Sequence, residues 1–257
     1  MDNYLYGGFS SVGYSRELNE DYISATELDD NTLFVLIADG AGSKTSSIQP
    51  ASIVGCEIEE TIKREFAYNK QLLLENAELF LKEAMLSANR VLGAFKRANE
   101  ELYSGFGASV SCCLLWENRN FCYAHTGNTR IYLIRRKKDG VAFINQLTVD
   151  QTKARSLLDR GLITPEQYHT HPDNLSITGG LGIALEPEIY TYTDELKSHD
   201  FLLMTTDGIH YAIKPEPMSD IVILSGNCNE AATALIEAAK LQKYPDNMSA
   251  MIIWAAK

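Results

Sequence analysis

Apolar residues recur along this chain with two different periods, and the switches between them mark the elements. Residues 22–26 and 32–38 are apolar and rich in strand formers, and they flank the polar loop Glu27-Leu28-Asp29-Asp30-Asn31. That pattern predicts a β-hairpin. The spacing then lengthens. Val54, Ile58, Ile62 and Phe66 recur every four residues. They predict a helix with Ser46 or Ser47 as its cap and Pro50 in its first turn, where the missing N–H costs nothing. From about residue 71 to 98, Leu73, Ala77, Phe80, Leu81, Ala84, Ala88, Val91, Leu92 and Phe95 form the buried stripe of a second helix.

Strand patterns return at 109–116 and 121–125, joined by residues 117–120. Two more, 130–135 and 141–147, are joined through Asp139-Gly140, a strong tight-turn dipeptide. Residues 148–182 are polar and mixed, with a short helix at 153–160. Strands at 188–192 and 201–205, a helix at 230–241 and a strand at 248–254 complete the chain. Strands joined by hairpins and grouped apart from helix pairs predict antiparallel sheets packed by helices, not a parallel βαβ sheet.

Composition narrows the class of function. With 257 residues, 45% of them hydrophobic and 22% charged, the chain has the balance of an ordinary globular protein. Lys and Arg number 23 against 34 Asp and Glu, a net charge of −11. Such a surface repels phosphate backbones and anionic lipid, so neither nucleic acid nor a membrane is an expected partner. The first residues lack the basic and apolar regions of a signal peptide, and the apolar runs are too short to span a bilayer. A cytoplasmic location is expected. The five cysteines are odd in number and lack CxxC spacing, which predicts reduced, mostly packed thiols and no zinc site.

The excess of carboxylates is patterned. The apolar run 34–38 ends in Asp39-Gly40, and the run 201–204 passes through Thr205-Thr206 into Asp207-Gly208. Asp246-Asn247 precedes the last strand, and Glu20-Asp21 precedes an early one. A carboxylate at a strand end is held rigidly yet faces an open rim, and a following glycine can turn sharply and offer its carbonyl. Hard cations such as magnesium or manganese want such oxygen ligands. Taken singly, each dipeptide is equally at home as a plain turn former. The stretch from Ala38 to Thr45 has the look of a phosphate-binding loop, but Ser43 stands where glycine must precede the lysine, which sets nucleotide hydrolysis aside.

In order, the chain carries Gly13-Tyr14-Ser15-Arg16-Glu17-Leu18-Asn19-Glu20-Asp21, Ala38-Asp39-Gly40-Ala41-Gly42, Gly127-Asn128-Thr129-Arg130, Gln146-Leu147-Thr148-Val149-Asp150, Thr206-Asp207-Gly208-Ile209 and Asp246-Asn247-Met248-Ser249. This series resembles the type-2C family of metal-dependent Ser/Thr protein phosphatases in its short bacterial form, over about residues 7–253. The resemblance implies an α+β fold, a four-layer α-β-β-α sandwich of two mostly antiparallel sheets flanked by helix pairs. It implies one phosphatase-like domain over 1–257 with a flap subdomain at about 148–182. Two divalent cations, Mn or Mg, are implied as cofactors, with Asp39 bridging them. Glu20 and the Gly40 carbonyl would serve one ion, and Asp207 and Asp246 the other. Asp21 and Asn247 would support the ligands and their waters, and Arg16 would grip the substrate phosphate. Asp39 and Arg16 are thus the residues expected to carry catalysis, the metals activating a water that attacks phosphorus.

Departures from the family pattern qualify the carry-over. Ala41 stands where some members have a proposed general acid. Asn128 stands where others have an Asp that holds a third metal, which puts that third site in doubt. Gln151 and Gly179-Gly180 also differ from the frequent residues. His125, at a predicted strand end near the rim, is a candidate proton donor, with a hydrogen-bonded structural histidine as the plainer alternative. His169 and His171 read as flap structure. The expected partners are phosphorylated proteins, the substrates of a Ser/Thr kinase, and the chain is expected to act as a monomer. Two alternatives stand beside this reading: a pseudo-phosphatase that binds phosphorylated partners without turnover, and a hydrolase of small phosphoesters.

Overall fold

The computed structural model describes residues 4–42, 48–98, 100–117, 119–136 and 142–256. Among these residues ten strands pair into two antiparallel five-stranded sheets. One has the order β1 (Tyr4–Ser11), β10 (Met248–Ala255), β9 (Phe201–Thr205), β6 (Arg130–Arg136), β7 (Ala142–Gln146). The other runs β2 (Asp21–Asp29), β3 (Thr32–Ala41), β4 (Gly107–Trp116), β5 (Asn120–Thr126), β8 (Tyr190–Glu195). Among the described residues eight α-helices accompany them: α1 (Pro50–Glu75), α2 (Ala77–Ala98), α3 (Glu100–Tyr103), α4 (Lys153–Asp159), α5 (Pro165–His169), α6 (Asp207–His210), α7 (Pro215–Leu224) and α8 (Cys228–Leu241).

Three apolar cores separate the layers. Phe34, Leu36 and Ala38 of β3 meet Val54, Ile58 and Ile62 of α1 and Leu81, Ala84 and Leu92 of α2. The alternate residues Leu33, Val35 and Ile37 face Leu202, Met204 and Ile253 of the opposite sheet. On the far side, Leu203 and Ile252 meet Met218 of α7 and Leu235 and Ile236 of α8. The result is the expected α-β-β-α sandwich. Since β3 is covered on both faces, its apolar run is continuous instead of alternating. Truncating one of its fully buried residues, as in Leu36→Ala, would cost about 2–5 kcal/mol.

The β2–β3 hairpin forms as predicted, with Ile23 opposite Ile37 and a register shift between Glu27 and Asp29. The helix boundary differs. Non-helical backbone at Asn69 kinks α1, but the helix resumes and ends only at Asn76, so Leu73 belongs to α1 and not to the second helix. Phe95, assigned to the buried stripe, is exposed. Helix α7, which carries Pro215 and Pro217, was not anticipated. Both sit in its first turn, where proline removes no intrahelical bond. The predicted cap at Ser46 or Ser47, loop residues 43–45 and the Asp139-Gly140 turn lie outside the described residues. No helix among the described residues is long and apolar enough to cross a membrane.

Candidate metal centre

Antiparallel pairing explains why distant acidic dipeptides meet. The chain leaves the sheets at Ala41, two residues past Asp39, and at Thr205, and enters them at Asp21 and Met248, all at one rim. Asp21 lies directly opposite Asp39, and Asp39 opposite Ser109. A cavity of about 270 Å³ opens there, lined by Arg16, Glu20, Asp39, Gly40, Asp207 and Asp246, together with Asn128 and Asn247. Every residue read from the sequence as a metal or phosphate contact thus lines a single cavity.

Asn247 ties the rim together. Its side-chain oxygen accepts the Glu20 N–H at 2.9 Å, and its amide donates to the carbonyls of Val12 at 3.0 Å and Leu18 at 2.7 Å. Its own N–H donates to Asp246 Oδ1 at 2.9 Å. Segment 12–20 is thereby sewn to the start of β10. Gly13 makes this possible, with φ +82° and the Asp246 carbonyl only 1.9 Å from where a Cβ would stand. Asp21 sits beneath the cavity lining, where its Oδ2 accepts from Thr206 Oγ1 at 2.9 Å and Ser249 Oγ at 2.7 Å. The Gly40 N–H donates to the Glu20 carbonyl at 3.1 Å, which fixes Gly40 at the end of the hairpin.

Two further contacts define the cavity walls. Arg16 reaches Asp246 Oδ1 with Nη2 at 3.0 Å and donates from Nε to the Pro245 carbonyl at 3.1 Å. It remains half exposed, so part of its fork is available. Asn128 accepts from Ser109 Oγ at 2.8 Å and donates from Nδ2 to Asp207 Oδ2 at 3.2 Å. Its amide therefore stands as a hydrogen-bond donor beside a carboxylate, not as one more anion.

The carboxylates strain against one another. Burial, followed by the charges of Asp207, Asp21 and Asp246, holds Asp39 well above the usual carboxylate range. Burial, then Asp246, pushes Asp207 up to about 6. Asp21 is pushed up to about 7, again first by burial. Without a cation, protons are retained in this cluster at neutral pH. A divalent cation would replace them. The donors are all oxygens, which suits a hard ion. Among the described residues no three Asp, Glu, His or Cys side chains close into a ready cage. A bound ion would therefore keep much of its water, as magnesium does.

The candidate proton donor His125 is corrected by its surroundings. It is fully buried, with Nδ1 2.9 Å from Ser111 Oγ and Nε2 3.2 Å from the Val149 carbonyl. Burial pushes it down to about 4, so it is a neutral structural group. His171 accepts the Asp173 N–H at 3.2 Å and caps the one-turn 3-10 helix Pro172–Leu175. The cysteines are free, and four of the five are buried.

Two features were missed. Ser109 lines the cavity and positions Asn128. The larger omission is a buried ion pair. Arg130 clasps Asp150 with Nε at 2.9 Å from Oδ1 and Nη2 at 2.6 Å from Oδ2. Tyr168 of α5 donates to the same Asp150 Oδ2 at 2.6 Å. The guanidinium also lies over the Tyr211 ring, 5.3 Å from its centroid, and Tyr211 donates to the Asn174 carbonyl at 3.2 Å. This hub links segment 168–174 to the end of α6, the helix that Asp207 begins. Leu175 and Ile177, just beyond it, line the acidic cavity. Both charged residues lay in quoted motifs, but nothing in the sequence marks residues 20 apart as a pair.

Residues 11–244 match the family model described as protein phosphatase 2C. The chain is similar to protein phosphatase PhpP of Streptococcus pneumoniae, at 26% identity over 246 residues, covering 95% of this chain and 94% of that protein. It is similar to serine/threonine phosphatase stp of Listeria welshimeri, at 24% identity over 241 residues, covering 94% and 92%. Among solved structures, the catalytic domain of serine threonine protein phosphatase PstP, in complex with two manganese ions, superposes with a TM-score of 0.80 at 24% identity, covering 99% of each chain.

Proposed function

This chain belongs to the protein phosphatase 2C family, and from that premise we propose that it hydrolyses phosphoserine and phosphothreonine in proteins, with two divalent cations, Mn or Mg, held in the acidic cavity. The observation that carries the reading is the convergence of Glu20, Asp39, Asp207, Asp246 and the Gly40 backbone on one cavity beside a half-free arginine. Asp39 would bridge the ions, Glu20 and the Gly40 carbonyl would hold one, and Asp207 and Asp246 the other. When bound, the cations supply Lewis acidity that activates water and offsets charge on the phosphoryl oxygens.

The chain's own residues do the rest. Asn247 holds Asp246 and the backbone of Glu20, and Asp21 holds Thr206, the residue before Asp207. Arg16 presents a planar fork to two phosphate oxygens. No histidine or cysteine lines the cavity among the described residues, and its serine, Ser109, has its proton committed to Asn128. A protein nucleophile is therefore absent from the proposal, and no phosphoenzyme is expected. With Ala41 at the rim and His125 buried, the proton for the leaving alkoxide would come from a water held by the cations or from another group.

The substrates are phosphoproteins, as for the protein phosphatases to which the chain is similar. We extend this to the products of a partner Ser/Thr kinase, acted on by a cytoplasmic monomer. Residues 1–257 would form one domain, with 148–182 as its flap. A pseudo-phosphatase is favoured by one observation only: Asn128 occupies an Asp207 oxygen with an amide instead of adding an anion. Hydrolysis of a phosphothreonine peptide with manganese, then with chelator, separates the two. Turnover that chelator abolishes and manganese restores is expected. Peptide binding without turnover at saturating manganese would establish the pseudo-phosphatase.

A further inference from the structure

A second cavity, of about 590 Å³, lies between α2 and residues 182–185. It is basic, on a chain whose net charge is −11. Arg90, Lys96 and Arg97 line it against a single carboxylate, Glu100. Arg90 and Arg97 are seven residues apart on α2 and share one face of the helix, with Gly93 between them. The Arg97 guanidinium lies over that glycine, 3.4 Å from where a Cβ would stand. Both arginines are exposed. Neither pairs with a carboxylate among the described residues.

The groove is built, not a loose cleft. Lys96 Nζ donates to the carbonyls of Phe106 at 2.9 Å and Gly182 at 2.5 Å. Asn89 donates to the carbonyls of Ala184 and Leu185, each at 3.0 Å, and accepts the Gly182 N–H at 2.6 Å. These bonds fix the 182–185 wall onto α2 and leave the arginines free to meet a ligand.

Its position relative to the acidic cavity is set by two chain segments. Ser104 lines the groove and Ser109, five residues on, lines the acidic cavity. Ile177 lines the acidic cavity and Gly182, five residues on, lines the groove. Gly42, also in the cavity lining, packs against Gly105 between them. Five extended residues span at most about 17 Å. A peptide with its phosphate over the carboxylates could therefore reach the groove with roughly five residues of extended chain.

We propose that this groove docks an acidic segment of the phosphoprotein substrate, about five residues from the phosphorylated side chain. The proposal rests on the phosphatase reading above and adds a substrate preference to it. Exposed, unpaired charges of this kind act on encounter and orientation, and salt weakens them.

The test uses three phosphothreonine peptides: one with four Glu centred five residues before the phosphothreonine, one with the Glu run after it, and one with Gln throughout. Hydrolysis with manganese is read as KM and kcat, and binding of fluorescein-labelled peptides is read by polarisation. For the wild-type chain, one acidic peptide should show a KM about tenfold below the Gln peptide, at similar kcat. Arg90→Glu/Arg97→Glu should erase that difference in both readouts and leave turnover of p-nitrophenyl phosphate unchanged. Arg90→Gln/Arg97→Gln should fall between. Equal KM for all three peptides in the wild type, or an acidic preference that survives in the Glu variant, would overturn the proposal. Should the wild type hydrolyse neither peptide nor p-nitrophenyl phosphate, the phosphatase reading fails instead. The polarisation titrations then decide the docking proposal alone.

Discussion

Replacing Asp207 by Asn should stabilise the metal-free protein while crippling metal binding, and the sign of that effect follows from the crowded carboxylates. Burial and the Asp246 charge raise Asp207 from 3.8 to about 6. Between those two values the folded chain holds a proton that the unfolded chain has released. Stability that is present below pH 4 is therefore lost as pH rises toward 6. A rise from 3.8 to about 6 corresponds to roughly 3 kcal/mol. That figure is an upper one, because Asp39 and Asp207 share a hydrogen bond and relief at either eases the other. Asn keeps an oxygen for the Asn128 amide and carries no charge. In chelator at pH 7.5, Asp207→Asn should therefore melt above the wild type, by up to about 6–12 °C for a chain of this size. At pH 4 the two should coincide. With saturating manganese the order should reverse, because only the wild type gains binding energy from the assembled site. Thermal melts under these three conditions check it. No gain in chelator at pH 7.5, or a gain that is the same at pH 4, would refute the account of mutual repulsion.

Other substitutions probe the remaining parts. Arg16→Ala should raise KM for phosphopeptide about tenfold or more and leave manganese affinity, measured by calorimetry, little changed; an equal loss in both would reassign Arg16 to the metal site. Asn128→Asp would turn a donor beside Asp207 into another anion, so it should lower the melting temperature in chelator and lower the manganese concentration for half-maximal activity. Overlapping manganese titrations would remove position 128 from the metal site. Tyr168→Phe deletes a hydrogen bond to the buried Asp150 charge and should cost about 1.5–3 kcal/mol in denaturant unfolding, whereas Arg130→Met strands that charge and should cost about 3–5 kcal/mol. If the two cost the same, the ion pair is not the centre of the hub.

The fold was legible where one residue type repeats for one reason. The run 33–38 announced a strand covered on both faces, and the four-residue spacing of Val54, Ile58 and Ile62 announced a helix on a sheet. The acidic residues were legible as candidates because each sits near where a strand starts or stops. Their convergence was legible only through the family resemblance, since the stacking of the two sheets that carry β3 and β9 leaves no local mark. Long-range polar partners stayed hidden for the same reason. Asn247 was expected beside the ligands, but its bonds to the Val12 and Leu18 carbonyls leave no trace in the sequence. Arg130 and Asp150 stand in two separate motifs, and only the packing of β6 against the segment after β7 buries them as a pair. His125 misled because a strand end suggests exposure, while the Val149 carbonyl covers this one. Helix α7 went unassigned, although Pro215 at its first position is a start signal.

The central claim is that Asp39, Asp207, Asp246, Glu20 and the Gly40 carbonyl together hold two divalent cations. An anomalous-difference map from crystals soaked in manganese, recorded above the manganese absorption edge, tests it most directly. The account predicts two strong peaks in the acidic cavity, with Asp39 in contact with both, and the loss of at least one of them in Asp39→Asn. A map with no peak in that cavity at millimolar manganese, or with peaks that persist unchanged in Asp39→Asn, would contradict it.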